Sequence, residues 1–496
     1  MLDSKSEPAA TALATTALSA SVSLGWQPMR ASSIGLAEQL VEHFGALVRN
    51  HGLRAGVRLP SVRALAESAG VSRDTVVQAY DRLAAQGLIV SRRGSGFYVA
   101  AQRSVTAPAE PAKSASPQVV EFDTSYLLRG IFRESGDGTT NAGCLPGSWM
   151  DQGLITGAMR AITRQGSRAE QSLLSYGVPQ GFVPLRQHIA SYLQAQEVPA
   201  HPETHLMTVG GVTQGLDLIV RCFLRPGDTV LVEDPAWFLI FGRLKYMGVN
   251  VVGVPRLPGG PDVVALESLA QAHKPRLFIL NTVVHNPTGL SLSAGVAHEV
   301  LRIAERHDFL LVEDDTYADF LGAMPLRLAA MDRLRRVILV GGYSKTLSGG
   351  LRVGYIAAKP DYVHRLTDMK LLSGLTSSLP AEQIVHHILA DGSYRKHVDR
   401  LRERVDRARI RCLRKLEAIG CYAEHEPVAG TFAWVDCGVD TEVLARQAAL
   451  SNLLLAPGVL FSPQQATSRM LRVPVAMADY AAPWKMLEQI LKQLRP

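Results

Sequence analysis

The stretch VGGYSKTLSGGLRVG, residues 340–354, sets one lysine, Lys345, between a serine and a glycine-rich turn that ends in Arg352. The residues leading into it, VILVGG (337–342), form a short bounded apolar run, the pattern of a strand buried on both faces. Three similar runs precede it, TVLVED (229–234), RLFILN (276–281) and FLLVED (309–314), and longer amphipathic stretches separate them. That alternation predicts a parallel sheet covered on both faces by helices. Ligands gather at the carboxyl ends of strands in such sheets, and each of these runs ends in polar residues or, before Lys345, in glycines. Lys345 therefore sits where a functional side chain is expected.

Working outward, the 496 residues are too many for one small core, and a prior of roughly 150 residues per domain predicts two to four units. With 47% hydrophobic and 20% charged residues the composition is that of a folded globular protein. No run of about 18 apolar residues spans a bilayer, so no membrane partner is expected. The first 29 residues are rich in alanine, serine and threonine and carry Asp3 and Glu7 where an export signal is basic, so we read residues 1–29 as a disordered tail. Cys144, Cys222, Cys412, Cys421 and Cys437 show neither a CxxC pair nor zinc-finger spacing; they read as free thiols of a cytoplasmic protein, with no metal site. AQRSVTAPAEPAKSASPQ (101–118) has no hydrophobic period and reads as a Pro/Ala/Ser linker, residues 101–119, ahead of a large domain at 120–496.

Residues 30–100 form the other folded segment, with nine arginines against five acids. IGLAEQLVEHFGALVRN (34–50) aligns Leu36, Leu40, Phe44, Leu47 and Val48 on one helical face. Two short helices follow in RLPSVRALAESAGVSRDTVVQAYDRLAAQG (58–87). Ser61 and Ser72 are placed to cap them, Gly70 and Gly87 to end them, and Val76, Val77, Tyr80 and Leu83 to be buried. Arg73 and Thr75 fall at the exposed N-terminus of the second helix, where helix-turn-helix readers meet DNA. LIVSRRGSGFYVA (88–100) reads as a hairpin around Gly94-Ser95-Gly96, with Arg92 and Arg93 beside the turn. A small helical docking domain is the blander reading, but it leaves the pairing of these helices with RRGSGFYV unexplained. The run resembles the winged helix-turn-helix of GntR-type regulators. That resemblance implies DNA contacts by Arg63, Ser72, Arg73, Thr75 and the wing residues Arg92, Arg93, Gly94 and Gly96, with a double-stranded operator as partner.

In the large domain, the strand ends carry the groups that pyridoxal 5′-phosphate requires: a lysine, an acid for the ring nitrogen, donors for the phenolic oxygen, a stacking ring and a phosphate cradle. VGGVTQGLDLIV (209–220) is a glycine turn entering an apolar helix, whose first amides at Gly211, Val212 and Thr213 suit a phosphate. EDPAWF (233–238) offers Trp237, VVHNPTGL (283–290) offers Asn286, and EDDTYADF (313–320) offers Asp314 and Tyr317. Singly, a core tryptophan or a solvated acidic loop accounts for these residues as well.

In this order, YGVPQG, HNPTG, DDTY and SKTLSGGLR resemble the fold-type I aminotransferases of class I/II over residues 120–496. The resemblance implies an α/β PLP-dependent transferase fold with a smaller C-terminal α+β subdomain. It implies that Lys345 forms the aldimine, Asp314 pairs with the pyridinium, Asn286 and Tyr317 bond the phenolic oxygen, and Trp237 stacks on the ring. Gly211, Val212, Thr213, Ser344 and Arg352 would hold the phosphate. Tyr176, in LLSYGVPQG, would reach the phosphate of a second subunit, hence a homodimer. In RMLRVPVA, Arg472 would grip a substrate carboxylate, with Arg469 as the alternative. Two positions depart from the pattern: Gly342 stands where a phosphate-binding serine is usual, and Gly349 where a proline is.

The order winged helix, linker and aminotransferase-like domain resembles the MocR-type transcriptional regulators. The leading expectation is a PLP-dependent regulator that senses the cofactor or an amino compound through its aldimine. The alternative is a working aminotransferase with an accessory DNA-binding domain, and a third reading is an inert dimerisation scaffold. The basic run YRKHVDRLRERVDRARIRCLRKL (394–416) interleaves acids at helical spacing and reads as a solvated helix of the small subdomain.

Overall fold

The structure is a computed structural model that describes residues 26–30, 32, 34–49, 53, 55–92, 94–100, 145–164 and 174–495, and the chain divides into two units, Met1–Gln118 and Val119–Pro496. The expected linker, Cys144, Arg93 and nearly all of the expected tail lie outside the described residues.

In the first unit, helices α1 (Leu36–Arg49), α2 (Val62–Ala69) and α3 (Arg73–Ala85) pack with a hairpin of β1 (Ile89–Arg92) and β2 (Gly96–Val99). Ser61 accepts from the Ala64 amide at 3.2 Å, and Gly70, at φ 63°, closes α2 in the left-handed region. Ser72 accepts from the Thr75 amide at 3.1 Å and so starts α3. Leu40, Phe44, Val76, Ala79, Tyr80 and Leu83 form the core. The Phe44 and Tyr80 rings meet edge to face at 6.0 Å, and the Tyr80 hydroxyl donates to the Pro60 carbonyl, so its buried end is satisfied. Val77, expected inside, is 42% exposed. The buried stripe of α3 runs 76, 79, 80, 83, and a 3.6-residue period carries position 77 off it while bringing Ala79 in.

The second unit is built on an eight-stranded sheet in the order β3-β10-β9-β8-β7-β4-β5-β6. Its strands are β3 (Leu206–Val209), β4 (Thr229–Asp234), β5 (Asn250–Leu257), β6 (Gly260–Pro261), β7 (Leu277–Leu280), β8 (Leu310–Asp314), β9 (Val337–Gly342) and β10 (Gly354–Ala357). The strands β5, β4, β7, β8 and β9 are parallel, as expected of the four apolar runs. The sheet as a whole is mixed, because β10 runs antiparallel to both β9 and β3. Only the Lys345 turn joins β9 to β10, and a parallel return needs a crossover of a dozen or more residues, usually helical.

Helices cover both faces. Helix α4 (Val183–Gln194) buries Leu185, Ile189 and Leu193 on one side, with Val300, Ile303, Ile384 and Ile388 from neighbouring helices. Helix α5 (Val212–Phe223) and helix α6 (Pro360–Gly374) bury Leu216, Ile219, Val363 and Leu366 on the other. Gly215 lets α5 lie close on the sheet, since a Cβ there would come within 2.9 Å of Val340. A separate core supports the small subdomain, where β11 (Tyr422–Ala423), β12 (Phe432–Asp436), β14 (Met470–Pro474) and β13 (Ala456–Pro457) form an antiparallel sheet against α7 (Ser393–Ala418). The basic run is this 26-residue helix, laced by pairs such as Arg402–Asp399 and Arg409–Asp406. Among the described residues no helix is long and apolar enough to cross a membrane.

Candidate functional site

Strand β3 ends at Val209, and Gly211, at φ 82° and ψ 164°, turns the chain into α5. This backbone region is essentially closed to residues with a Cβ. A Cβ on Gly211 would also lie 2.6 Å from Arg352 Nη2. Glycine here lets the Arg352 guanidinium lie over the start of α5, where Nη2 donates to the Gly210 carbonyl at 3.0 Å and Nη1 to Ser344 Oγ at 3.4 Å. The Gly211 amide, expected to serve a phosphate, is taken by the Val209 carbonyl at 2.8 Å, which leaves the helix start at Val212 and Thr213 beside the guanidinium as the anion cradle.

Lys345, Asp314, Asn286, Tyr317, Trp237, Val212, Thr213, Ser344 and Arg352 line a single cavity at this end of the sheet. They arrive from the ends of β4, β7, β8 and β9 and from the first turn of α5. Gly342, Asn281 and Thr316 complete the wall, and the last two were not singled out in the sequence. Thr316 donates to Asp314 Oδ1 through its amide, at 2.9 Å, and through its hydroxyl. Burial pushes the Asp314 carboxyl above the usual range, while these two donors and the Lys345 charge pull it down. Asn281 Nδ2 donates to the Asp314 carbonyl at 2.6 Å, and Asn281 Oδ1 accepts from the Asn286 amide at 2.8 Å, so one side chain ties two strand ends together. The neighbouring acids are not solvated. Glu313 is buried and accepts from Thr282, Leu328 and Ala329, and Asp315 is paired with Arg327.

Arg472, on β14, is 2% exposed. Its Nη1 donates to Asn286 Oδ1 at 3.0 Å, and its guanidinium lies 4.1 Å from the Phe432 ring centroid and 5.0 Å from that of Phe461. Burial lowers its pKa to about 10, which leaves it charged at neutral pH. Asn286, which lines the cavity, therefore accepts from Arg472 with its side-chain oxygen. The sequence alternative, Arg469, pairs instead with Asp436 on an exposed edge. Tyr176 lies outside the cavity and is 80% exposed. No group of three or more His, Cys, Asp or Glu among the described residues is placed to hold a metal.

In the first unit, Arg73 opens α3, and the Ser72 and Thr75 hydroxyls meet at 2.8 Å beside it. Arg63 is exposed and pairs with Glu67 at 2.9 Å. On the hairpin, Arg92 lies over the Tyr98 ring at 4.6 Å, and Gly94 and Gly96 take φ values of 75° and 106° at its tip.

Comparison with known proteins agrees with this division. Residues 143–482 match the family described as aminotransferase class I and II, and residues 36–99 match the bacterial regulatory proteins of the gntR family. The chain is 28% identical to the HTH-type transcriptional regulator YdcR of Escherichia coli K12, over 92% of this chain and 97% of that protein. It is also 28% identical to the probable rhizopine catabolism regulatory protein MocR of Rhizobium meliloti, over 75% of each. Among solved structures it resembles LysN, the α-aminoadipate aminotransferase of Thermus thermophilus, with 26% identity and a TM-score of 0.65 over 74% of this chain and 94% of that one.

Proposed function

Because the chain belongs to the aminotransferase class I and II family and carries a gntR-family domain at residues 36–99, we propose that it is a DNA-binding transcription regulator. Its large unit would bind pyridoxal 5′-phosphate and sense the cofactor or an amino compound at Lys345. The single observation that carries this reading is the convergence on one cavity of Lys345, Asp314, Asn286, Trp237, Thr213 and Arg352. The cradle fits a phosphate: Gly211 leaves room for Arg352 where any Cβ would displace it. When bound, the cofactor supplies a carbonyl at which amines exchange and a ring that draws electrons. Lys345 offers the amine for that carbonyl. Asp314, fixed by Thr316, offers a buried carboxylate to hold a proton on the ring nitrogen. Asn286 and Tyr317 would hold the phenolic oxygen, Trp237 would stack on the ring, and Val212, Thr213, Ser344 and Arg352 would hold the phosphate. The winged helix would read an operator through Arg73, Thr75 and Ser72 on α3, with Arg63 and the wing residues Arg92, Gly94 and Gly96 on phosphates. Tyr176, exposed on one chain, would reach into the site of a second in a cytoplasmic homodimer.

A working aminotransferase is the second reading, and Arg472 favours it. A charged guanidinium in an aromatic box beside Asn286 would make a receptor for a substrate carboxylate. One assay separates the two. Full-length protein loaded with the cofactor is mixed with candidate amines and 2-oxoglutarate, and both the visible absorbance and amino-group transfer are followed. A spectral change without sustained product supports the sensor, and steady multiple turnover refutes sensing as the sole role. Lys345→Ala should abolish the visible band; an unchanged band would leave the large unit an inert scaffold.

A further inference from the structure

A second cavity, of about 680 Å³, adjoins the first at Gly342, which lines both. That volume suits a small organic ligand. Its wall is built from residues scattered along the chain: Tyr192 on α4, Asp315 and Asp319 after β8, Tyr343 after β9, Tyr355 on β10 and Tyr394 on α7. The polar groups form one network. Tyr192 donates to Asp319 Oδ1 at 3.3 Å and Tyr394 to Oδ2 at 2.5 Å. Asp315 Oδ2 accepts from Arg327 Nε and Nη2 at 3.0 and 2.9 Å. Asp315 is only 6% exposed, and its other oxygen, Oδ1, has no hydrogen-bond partner. A buried carboxylate oxygen without a donor is costly unless a ligand supplies one. Burial outweighs Arg327 and raises the Asp315 carboxyl to about 7. Aromatic faces around carboxylates are the surroundings that attract an ammonium group. Two arginines also reach the wall. Arg402 is already engaged with Asp399 and the Asp319 carbonyl, and Arg395 is an exposed residue.

We propose that this cavity is a second ligand site, for a small organic cation, adjoining the Lys345 cavity. The ammonium would sit among the tyrosine rings against Asp319, and a small turn of the Asp315 side chain, whose Oδ1 is closed to solvent, would bring that oxygen to it. Its influence on the first cavity, which rests on the function proposed above, would run through two short links. Asp315 follows Asp314 directly, and its amide donates to the Val340 carbonyl on β9 at 2.9 Å. The Tyr394 hydroxyl, which donates to Asp319, lies 2.6 Å from the hydroxyl of Thr346, the residue after Lys345. A cation that draws on Asp319 and Asp315 therefore pulls on the neighbours of both Asp314 and Lys345.

The test uses a tertiary amine, N,N-dimethylphenethylamine, which is protonated at neutral pH and cannot condense with a carbonyl. Calorimetric titration of the full-length protein should show one site per chain, and Lys345→Ala should retain it. Asp315→Asn and Asp319→Asn should each weaken binding about tenfold, the loss expected when a charged hydrogen-bond partner is removed. Met324→Lys, at an exposed wall position, should weaken it several-fold by like-charge repulsion without touching the core. In the cofactor-loaded parent the amine should also shift the visible band. Absence of binding, binding unchanged in all three cavity variants, or equal binding of uncharged 2-phenylethanol would each overturn the site. Binding that persists when no cofactor is taken up leaves the cavity standing and refutes the cofactor reading instead.

Discussion

Replacing Gly211 by alanine tests the phosphate cradle most directly, because two separable effects follow from one added carbon. The new Cβ would stand 2.6 Å from Arg352 Nη2 and 2.9 Å from its Cζ. Non-bonded contact requires about 3.5 Å, so the guanidinium must retreat by roughly 1 Å and give up its 3.0 Å bond to the Gly210 carbonyl. Its charge-assisted grip on a phosphate is worth ~1.5–3 kcal/mol, so cofactor affinity should fall roughly 10- to 150-fold. Separately, alanine at φ 82°, ψ 164° strains the backbone by ~1–3 kcal/mol, and that strain is present whether or not cofactor is bound. Arg352→Ala should reproduce the affinity loss without the strain, since Arg352 is exposed. The double variant should then bind no worse than Arg352→Ala alone while unfolding as readily as Gly211→Ala. Cofactor titration followed in the visible, with denaturant unfolding of the cofactor-free proteins, measures both. Affinity within threefold of the parent for Gly211→Ala, or additive losses in the double variant, would refute the cradle.

Other consequences are open to simpler tests. Lys370, on α6, is 1% exposed, and burial lowers its amine to about 8 although its Nζ donates to the Thr208 carbonyl at 2.9 Å. Between pH 8 and about 10.5 the unfolded chain binds the extra proton, so the parent should gain up to about 3 kcal/mol over that window. Lys370→Met should lack this rise, and parallel curves for the two proteins would contradict the assignment. Ser72→Ala should cost about 1 kcal/mol of winged-helix stability through the lost cap. Arg73→Ala should leave stability unchanged, weaken operator binding and reduce the salt slope by about one, as measured by fluorescence anisotropy across a salt series. Gly342→Ser should tighten cofactor binding about fivefold while lowering the stability of the cofactor-free protein, and an unchanged affinity would mean that position 342 does not face the phosphate.

Much of the fold was legible because its signals are local. Each of the four apolar runs is a strand whose neighbours bury it on both faces, and each winged-helix cap lies within three residues of the amide it serves. Val77 and β10 show where local pattern fails. Val77 is as apolar as Val76, and only the phase of the helix against its partners decides which is buried. The direction of β10 depends on how little chain separates it from β9, which its own four residues, GYIA, do not express.

The candidate site divides along the same line. Lys345, Asp314, Asn286 and Trp237 were legible because each falls within six residues of a strand end, inside a short motif that resembles the family's. Asn281 and Thr316 stand equally near strand ends, but their work is to hold Asp314 and Asn286, and nothing in spacing separates a positioning side chain from a solvated one. The second cavity is further from reach, since its tyrosines and acids are scattered between positions 192 and 399 with no common period. Gly342 shows the limit most clearly. In the sequence it is a missing hydroxyl. In the sheet it is paired with Gly354, and a Cβ there would lie 3.2 Å from the Gly354 Cα and from the Val353 carbonyl. The glycine thus sets how closely β10 approaches β9, and a serine would crowd that pair equally in the cofactor-free and loaded protein. The crowding cancels in binding and remains in stability, so the same hydroxyl should strengthen the grip on a phosphate while weakening the strand pair that carries it.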